Sequence, residues 1–151
     1  MKVLVAVDNS EFSEAAVRSI VRQFRAEEAE VCVLHALEWQ RALPSGFAFA
    51  RGESYGNQLR AAMKQGREQA AALVIRMAGL LRAGGFRAST VVVEEKPLFA
   101  ILGRAAEWGA DLIVLGSHCR RGLDRVLTGS VSEKVARQAS CSVEIVRWHS
   151  S

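Results

Sequence analysis

Hydrophobic residues recur along this chain in two alternating patterns. Five short runs rich in Val, Ile and Leu, typical of buried strands, are separated by segments in which apolar residues return at roughly helical spacing. Pro97 suits the first turn of one helical segment and Gly109 suits its end. The patterns predict strands over 1–7, 30–36, 86–94, 111–115 and 142–147, and helices over 11–26, 57–82, 97–109 and 129–138.

The order of these elements favours one fold class. Continuously apolar strands that are separated by helices are typical of a parallel sheet with helices on both faces. We therefore predict a doubly wound, Rossmann-like α/β fold. A length of 151 residues, half of them hydrophobic, is expected to form a single domain over residues 1–151.

One segment, residues 37–56, shows neither pattern. It contains Trp39, Phe47, Phe49 and Tyr55, together with turn residues. Connections of this length are uncommon in compact domains and usually form a lid, a binding loop or a disordered stretch. The aromatic content favours docking onto another surface, and a mobile surface loop with a few residues packed on the sheet is an equal alternative.

Charge and cysteine content narrow the class of protein. The net charge is +4, but the basic residues are scattered among acidic ones on the helical segments, which argues against nucleic-acid binding. No apolar stretch approaches the ~20 residues of a membrane-spanning helix, and the N-terminus lacks a secretory pattern. Cys32, Cys119 and Cys141 are widely spaced, as expected of free thiols in a reducing compartment. We expect a cytoplasmic protein that binds neither membranes nor nucleic acid.

Candidate binding residues follow two of the predicted strands. Ligands of such sheets bind beyond the carboxyl ends of the strands, where the strand order reverses. With a strand order of 3-2-1-4-5, Asp8 and Gly116 border one crevice, and the helix that begins near Gly129, Ser130 and Val131 directs N–H groups towards it. Asp8 can accept hydrogen bonds from sugar hydroxyls, and the helix end can bind phosphate. The alternative is that Asp8 only starts a turn and Ser130 only caps a helix.

Several stretches together resemble the universal stress protein family. They are Val-Leu-Val-Ala-Val-Asp8-Asn-Ser, Asp111-Leu-Ile-Val-Leu-Gly116-Ser-His-Cys-Arg-Arg-Gly, Thr-Gly129-Ser130-Val-Ser-Glu-Lys-Val and the end of the chain up to residue 147. The resemblance implies a five-stranded parallel sheet of order 3-2-1-4-5, of the adenine nucleotide alpha hydrolase-like type. It also implies a homodimer paired through the last strand, residues 142–147. An uncovered edge there, with Val143 and Ile145, would risk aggregation.

The resemblance further implies ATP, with or without Mg²⁺, because some members bind it through a motif written G-x2-G-x9-G-(S/T). On this motif Gly116 is the first glycine, Gly129 the third and Ser130 the hydroxyl residue, whereas Cys119 replaces the second glycine. A β-carbon at a positive-φ position costs about 1–2 kcal/mol, roughly tenfold in affinity per 1.4 kcal/mol. We predict adenine near Leu34 and Ala36, ribose near Asp8, and phosphates at Gly129, Ser130 and Val131.

Other chemistry is sparse in the sequence. No catalytic triad, zinc-ligand spacing or Walker motif is present, which favours a protein without dedicated catalysis. The leading interpretation is an ATP-binding stress or signalling module. The alternatives are a dimeric interaction protein whose site has degenerated at Cys119, and a slow ATP hydrolase. The basic residues beside Cys119 would favour a reactive thiolate that gates binding, and the alternative is a tolerated small residue without a role.

Overall fold

The computed structural model describes residues 1–43, 52–118 and 130–148. The described strands are β1 (Lys2–Ala6), β2 (Glu30–Ala36), β3 (Arg87–Val93), β4 (Leu112–His118) and β5 (Ser142–Trp148). The described helices are α1 (Glu11–Gln23), α2 (Trp39–Ala42), α3 (Glu53–Ala83), α4 (Pro97–Trp108) and α5 (Val131–Gln138).

The strands form one parallel sheet in the order β3-β2-β1-β4-β5. This confirms the predicted fold class and strand order. The direction of strand succession reverses between β1 and β4, whose register pairs Val3 with Leu112 and Ala6 with Leu115. The carboxyl ends of these two strands therefore lie side by side.

Two hydrophobic clusters cover the two faces of the sheet. On one face α1 and α3 pack on alternate residues of the central strands, including Val5 and Val33. On the other face α4 and α5 pack on the intervening residues, including Leu4 and Leu34. The central strand β1 is therefore enclosed from both sides, which explains its continuous apolar sequence.

Some predicted boundaries were wrong. The segment 37–56 is not irregular throughout, because α2 lies within it. The long helix α3 begins at Glu53 rather than at residue 57, directly after Gly52, whose φ is +99°. The strand predicted over 111–115 extends to His118, since Gly116 and Ser117 continue the pairing with β5. Gly116, predicted to follow the strand, therefore lies within it. The first helix is shorter than 11–26 and ends at Gln23.

Candidate functional site

The carboxyl ends of β1 and β4 lie side by side and carry two of the predicted residues. The pairing of Ala6 with Leu115 brings the residues that follow them in the two strands to the same edge of the sheet. From there β1 leads into α1 on one face, whereas β4 connects onward to α5 on the other. Asp8 and Gly116 therefore lie at the same edge of the sheet, and their part in ligand binding stays a prediction.

Asp8 is held by the turn that joins β1 to α1. Its backbone N–H donates to Ser13 Oγ at 2.7 Å, and Ser13 Oγ donates back to Asp8 Oδ1 at 2.8 Å. Ser10 Oγ also donates to Asp8 Oδ1. The residue does start a turn, which was the alternative interpretation. Both serines bond the same oxygen, however, and a carboxylate has acceptor capacity at each oxygen, so the exposed Asp8 can still accept from a ligand.

Gly116 packs directly against the first turn of α1. A β-carbon built on it would lie 2.2 Å from the carbonyl oxygen of Phe12 and 2.6 Å from its carbonyl carbon. Real β-carbons essentially never approach other heavy atoms closer than 3.0 Å. Close packing against Phe12 is therefore enough to require glycine at position 116, whether or not phosphate binds there. The sequence analysis did not predict this contact.

The end of β2 supplies main-chain groups rather than side chains. Leu34 is fully buried in the cluster beneath α4, whereas Ala36 is partly exposed. The Leu34 carbonyl accepts from the Val7 N–H, and the Leu37 N–H donates to Val93 on β3. Because successive residues of a strand bond to opposite neighbours, the Ala36 N–H and C=O face the side of β1, beyond the point where β1 has turned away.

Ser130 caps α5. Its hydroxyl accepts from the Glu133 N–H at 3.3 Å, and the two residues have the spacing of a capping box. The Glu133 carboxylate does not complete the box, because it accepts from Arg137 at 2.7 Å instead. The N–H of Val131, in the first turn, has no acceptor within the helix. The helix end thus retains donors for an anion, although a carboxylate lies in its first turn.

Cys119 and Gly129 lie outside the described residues, and so do the predictions made for them. The other two cysteines are free. Cys32 is fully buried on β2. Burial raises the pKa of the Cys141 thiol above its ordinary value, which disfavours thiolate there.

A cluster around Trp39 was missed from the sequence. The Trp39 ring lies over Gly66 of α3, whose built β-carbon would be 2.9 Å from ring atom Cζ3, and the Arg67 guanidinium lies 5.1 Å from the ring centroid. Arg67 Nε is 2.5 Å from Glu94 Oε1. The hydrogen bond from Arg67 holds the Glu94 pKa below its ordinary value, and a hydrogen bond from Trp39 acts in the same direction. Trp39 thus docks α2 onto α3, near the carboxyl edge of the sheet.

The described residues contain neither a candidate metal site nor a candidate membrane-spanning helix. Across 1–43, 52–118 and 130–148, no group of three or more His, Cys, Asp or Glu side chains is arranged to hold a metal ion. No helix in the described part of the chain has the length and apolar character to cross a membrane.

Comparison with known proteins identifies relatives over nearly the full length. The sequence model of the universal stress protein family matches residues 1–147. Universal stress protein YxiE of Bacillus subtilis is 31% identical over 150 residues, with 97% of this chain and 98% of the relative covered. The solved structure of MJ0577, a protein of Methanocaldococcus jannaschii, matches with a TM-score of 0.75 at 26% identity and covers 99% of this chain and 97% of that one.

A more distant structure shares the fold and contains a ligand. A universal stress protein family protein from Arabidopsis thaliana, solved with AMP bound, matches with a TM-score of 0.70 at 17% identity and covers 99% of this chain and 93% of that one. The match of the family model over 147 residues, together with the sheet order and the near-complete alignment with the Bacillus protein, shows that this chain belongs to the universal stress protein family.

Proposed function

We propose that this protein binds an adenine nucleotide, ATP in the first instance, and acts as a stress or signalling module without dedicated catalysis. The observation that carries the proposal is that β1, which leads into the Asp8 turn, and β4 lie side by side where the strand order reverses, with α5 packed on one face of the same sheet. Parallel α/β sheets bind ligands at such reversals. The AMP complex of the Arabidopsis family member supports an adenine nucleotide as the ligand class.

The adenine is proposed to lie against the end of β2. There the Ala36 main chain offers one N–H donor and one C=O acceptor on the side that β1 has vacated. An adenine edge presents a ring-nitrogen acceptor and an amino donor, which complement this pair. Leu34, buried beneath, supports the strand rather than touching the ligand.

The ribose and phosphates are proposed to bind on either side of the crevice. Ribose hydroxyls would donate to Asp8, whose carboxylate is oriented by Ser10 and Ser13. Phosphates would accept from the first turn of α5, at Ser130 and Val131, because the N–H groups and the dipole of a helix N-terminus favour anions. Gly129 is included in the proposed phosphate site only because it matches the third glycine of the family motif.

The test is titration calorimetry with ATP, with and without Mg²⁺, after mass spectrometry of small molecules released from the purified protein. Asp8→Asn should weaken binding about tenfold, because a hydrogen bond to a charged acceptor is lost. Asp111→Asn is the matched control, since that carboxylate bonds the Lys2 N–H at the opposite edge of the sheet. If millimolar ATP produces neither heat nor a thermal shift, the proposal is wrong.

Cys119 is proposed to weaken the site without abolishing it. Cys119→Gly should tighten ATP binding if the loop needs a positive φ there, and should leave it unchanged otherwise. Measuring phosphate release in the same samples tests the hydrolase alternative. Turnover that Asp8→Asn abolishes would favour a slow ATP hydrolase.

A homodimer through β5 is the second candidate. β5 is an edge strand of the observed sheet, and its Val143 and Ile145 are only partly buried. Pairing with the same strand of a second copy would cover this edge in a two-fold arrangement. Sedimentation at micromolar concentration tests it, and a clean monomer excludes it. A dimer that binds no ATP would favour an interaction protein with a degenerated site.

A further inference from the structure

A cavity lies on the face of the sheet opposite to α5. It occupies about 600 Å³ between the carboxyl end of β2 and the long helix α3. Cavities of this size hold small organic molecules in other proteins. Its wall on α3 follows one stripe of the helix, from Gly66 to Arg76, which spans about 15 Å at 1.5 Å per residue.

The cavity combines an apolar floor with a few polar groups. Leu37, Ala70 and Leu73 line it, and each is less than a tenth exposed. The amide side chains of Asn9 and Gln69 lie at its exposed margin. Such a lining accommodates an apolar ligand body and orients polar ends.

His35 contributes a ring nitrogen whose role follows from its other contact. Its Nδ1 lies 2.7 Å from the carbonyl oxygen of Val7. A carbonyl can only accept, so Nδ1 carries the proton, and in the neutral ring Nε2 is an acceptor. His35 is one of the residues that line the cavity. His35 therefore offers the cavity an acceptor for a ligand hydroxyl or N–H.

Arg76 contributes a positive charge at the far end of the same stripe. It lines the cavity, and among residues 1–43, 52–118 and 130–148 it has no ion-pair partner. Arg67, which also lies on α3, is by contrast paired with Glu94. A planar guanidinium without a partner matches a carboxylate, which it can bind through two parallel hydrogen bonds.

We propose that this cavity is a second binding site, for a small organic carboxylate that carries a hydrogen-bond donor at its other end. The carboxylate pairs with Arg76, the apolar body covers Leu37 and Leu73, and the donor bonds His35 Nε2. The site lies on the opposite face of the sheet from the proposed phosphate site. Asn9, His35 and Leu37 adjoin the residues proposed to hold ribose and adenine, so the site is tested in the nucleotide-free protein.

The test uses three probes of increasing length: 4-hydroxybenzoate, 4-hydroxyphenylacetate and 3-(4-hydroxyphenyl)propionate. Each is titrated by calorimetry into the nucleotide-free protein up to about 10 mM, enough to detect millimolar affinity. The methyl ester of each probe is titrated in parallel. The ¹⁵N resonance of His35 Nε2 is followed by NMR in the same titrations.

At least one acid should bind and shift the His35 Nε2 resonance. Its ester should bind at least about tenfold more weakly, because the charge-assisted pair is lost. Arg76→Gln should cause the same loss. Arg60→Gln should not, since it removes the same charge from a part of α3 outside the cavity, where Arg60 bonds Asn57. Absence of binding by all three acids, an ester that binds as well as its acid, or binding that leaves the His35 resonance unmoved would overturn the proposal.

Discussion

Replacing Gly116 by alanine tests the close packing of α1 on β4. The new β-carbon would begin 2.2 Å from the Phe12 carbonyl oxygen, and this distance must grow by about 0.8 Å to reach the 3.0 Å limit of real contacts. Both partners are backbone, one in β4 and the other in the first turn of α1. Neither can rotate away as a side chain would, so the helix and the strand must separate.

The magnitude follows from two opposing effects. Overpacking costs about 1–3 kcal/mol, and a contact between backbone atoms belongs at the upper end. Alanine recovers about 0.5–1 kcal/mol by restricting the unfolded chain. The net loss is therefore about 2 kcal/mol, which lowers Tm by roughly 4–8 °C in a domain of this size.

Gly103→Ala is the matched control. Gly103 lies in α4, and its built β-carbon would meet nothing within 4 Å. Alanine there should stabilise the protein by about 0.5–1 kcal/mol, because it removes the entropic cost of a helical glycine.

The assay is urea unfolding monitored by circular dichroism, together with thermal unfolding, at one fixed protein concentration because an oligomer would make Tm depend on it. Gly116→Ala should unfold at lower urea with an unchanged m-value, and Gly103→Ala at higher urea. If Gly116→Ala were as stable as the parent, α1 and β4 would not lie this close, and the packing explanation of Gly116 would be wrong.

Three further predictions concern single contacts. Ser130→Ala should lower the free energy of unfolding by about 1 kcal/mol, because the Glu133 N–H loses its hydrogen-bond acceptor. An unchanged midpoint of urea unfolding would contradict the capping role. In a variant whose only tryptophan is Trp39, the fluorescence should report loosening of α2 as pH falls below about 4.5. The fold lowers the pKa of Glu94, so the stabilisation from its ion pair with Arg67 is present above that pH and is lost when Glu94 is protonated. Glu94→Gln should remove this transition, and a transition that persists would belong to another group. Arg67→Met should likewise loosen the packing of Trp39 on α3 at neutral pH. An unchanged Trp39 fluorescence spectrum would show that the Arg67 charge is not needed for this packing.

The architecture could be predicted because each strand and helix carries its own pattern. The run from Glu30 to Ala36 has four consecutive apolar residues at its centre, and both of its ends were predicted correctly. The helix that begins at Pro97 was likewise evident, because proline and glycine mark its two ends and Gly109 adopts the left-handed conformation. These signals are local, so one sequence suffices to read them.

What could not be predicted depends on contacts between distant residues. The four residues of α2 are too few for a periodic pattern, and their position depends on Trp39 meeting Gly66. Gly116 was read as a phosphate-binding glycine, but its close neighbour is Phe12, more than a hundred residues earlier. Asp8 and Ser130 were each assigned two alternative roles from the sequence. Both structural roles are present, and neither prevents the residue from binding a ligand.

The enclosure of β1 has a consequence for how the molecule opens. Val3, Leu4 and Val5 are completely buried, with helices above and below and a hydrogen-bonded strand on either side. Their amide protons can exchange with solvent only when both helical layers and the neighbouring strands come apart, which amounts to global unfolding. The turn that follows, at Asp8, is exposed and can readjust in smaller, faster openings. The strand that anchors the carboxyl edge thus stays closed in any opening smaller than global unfolding.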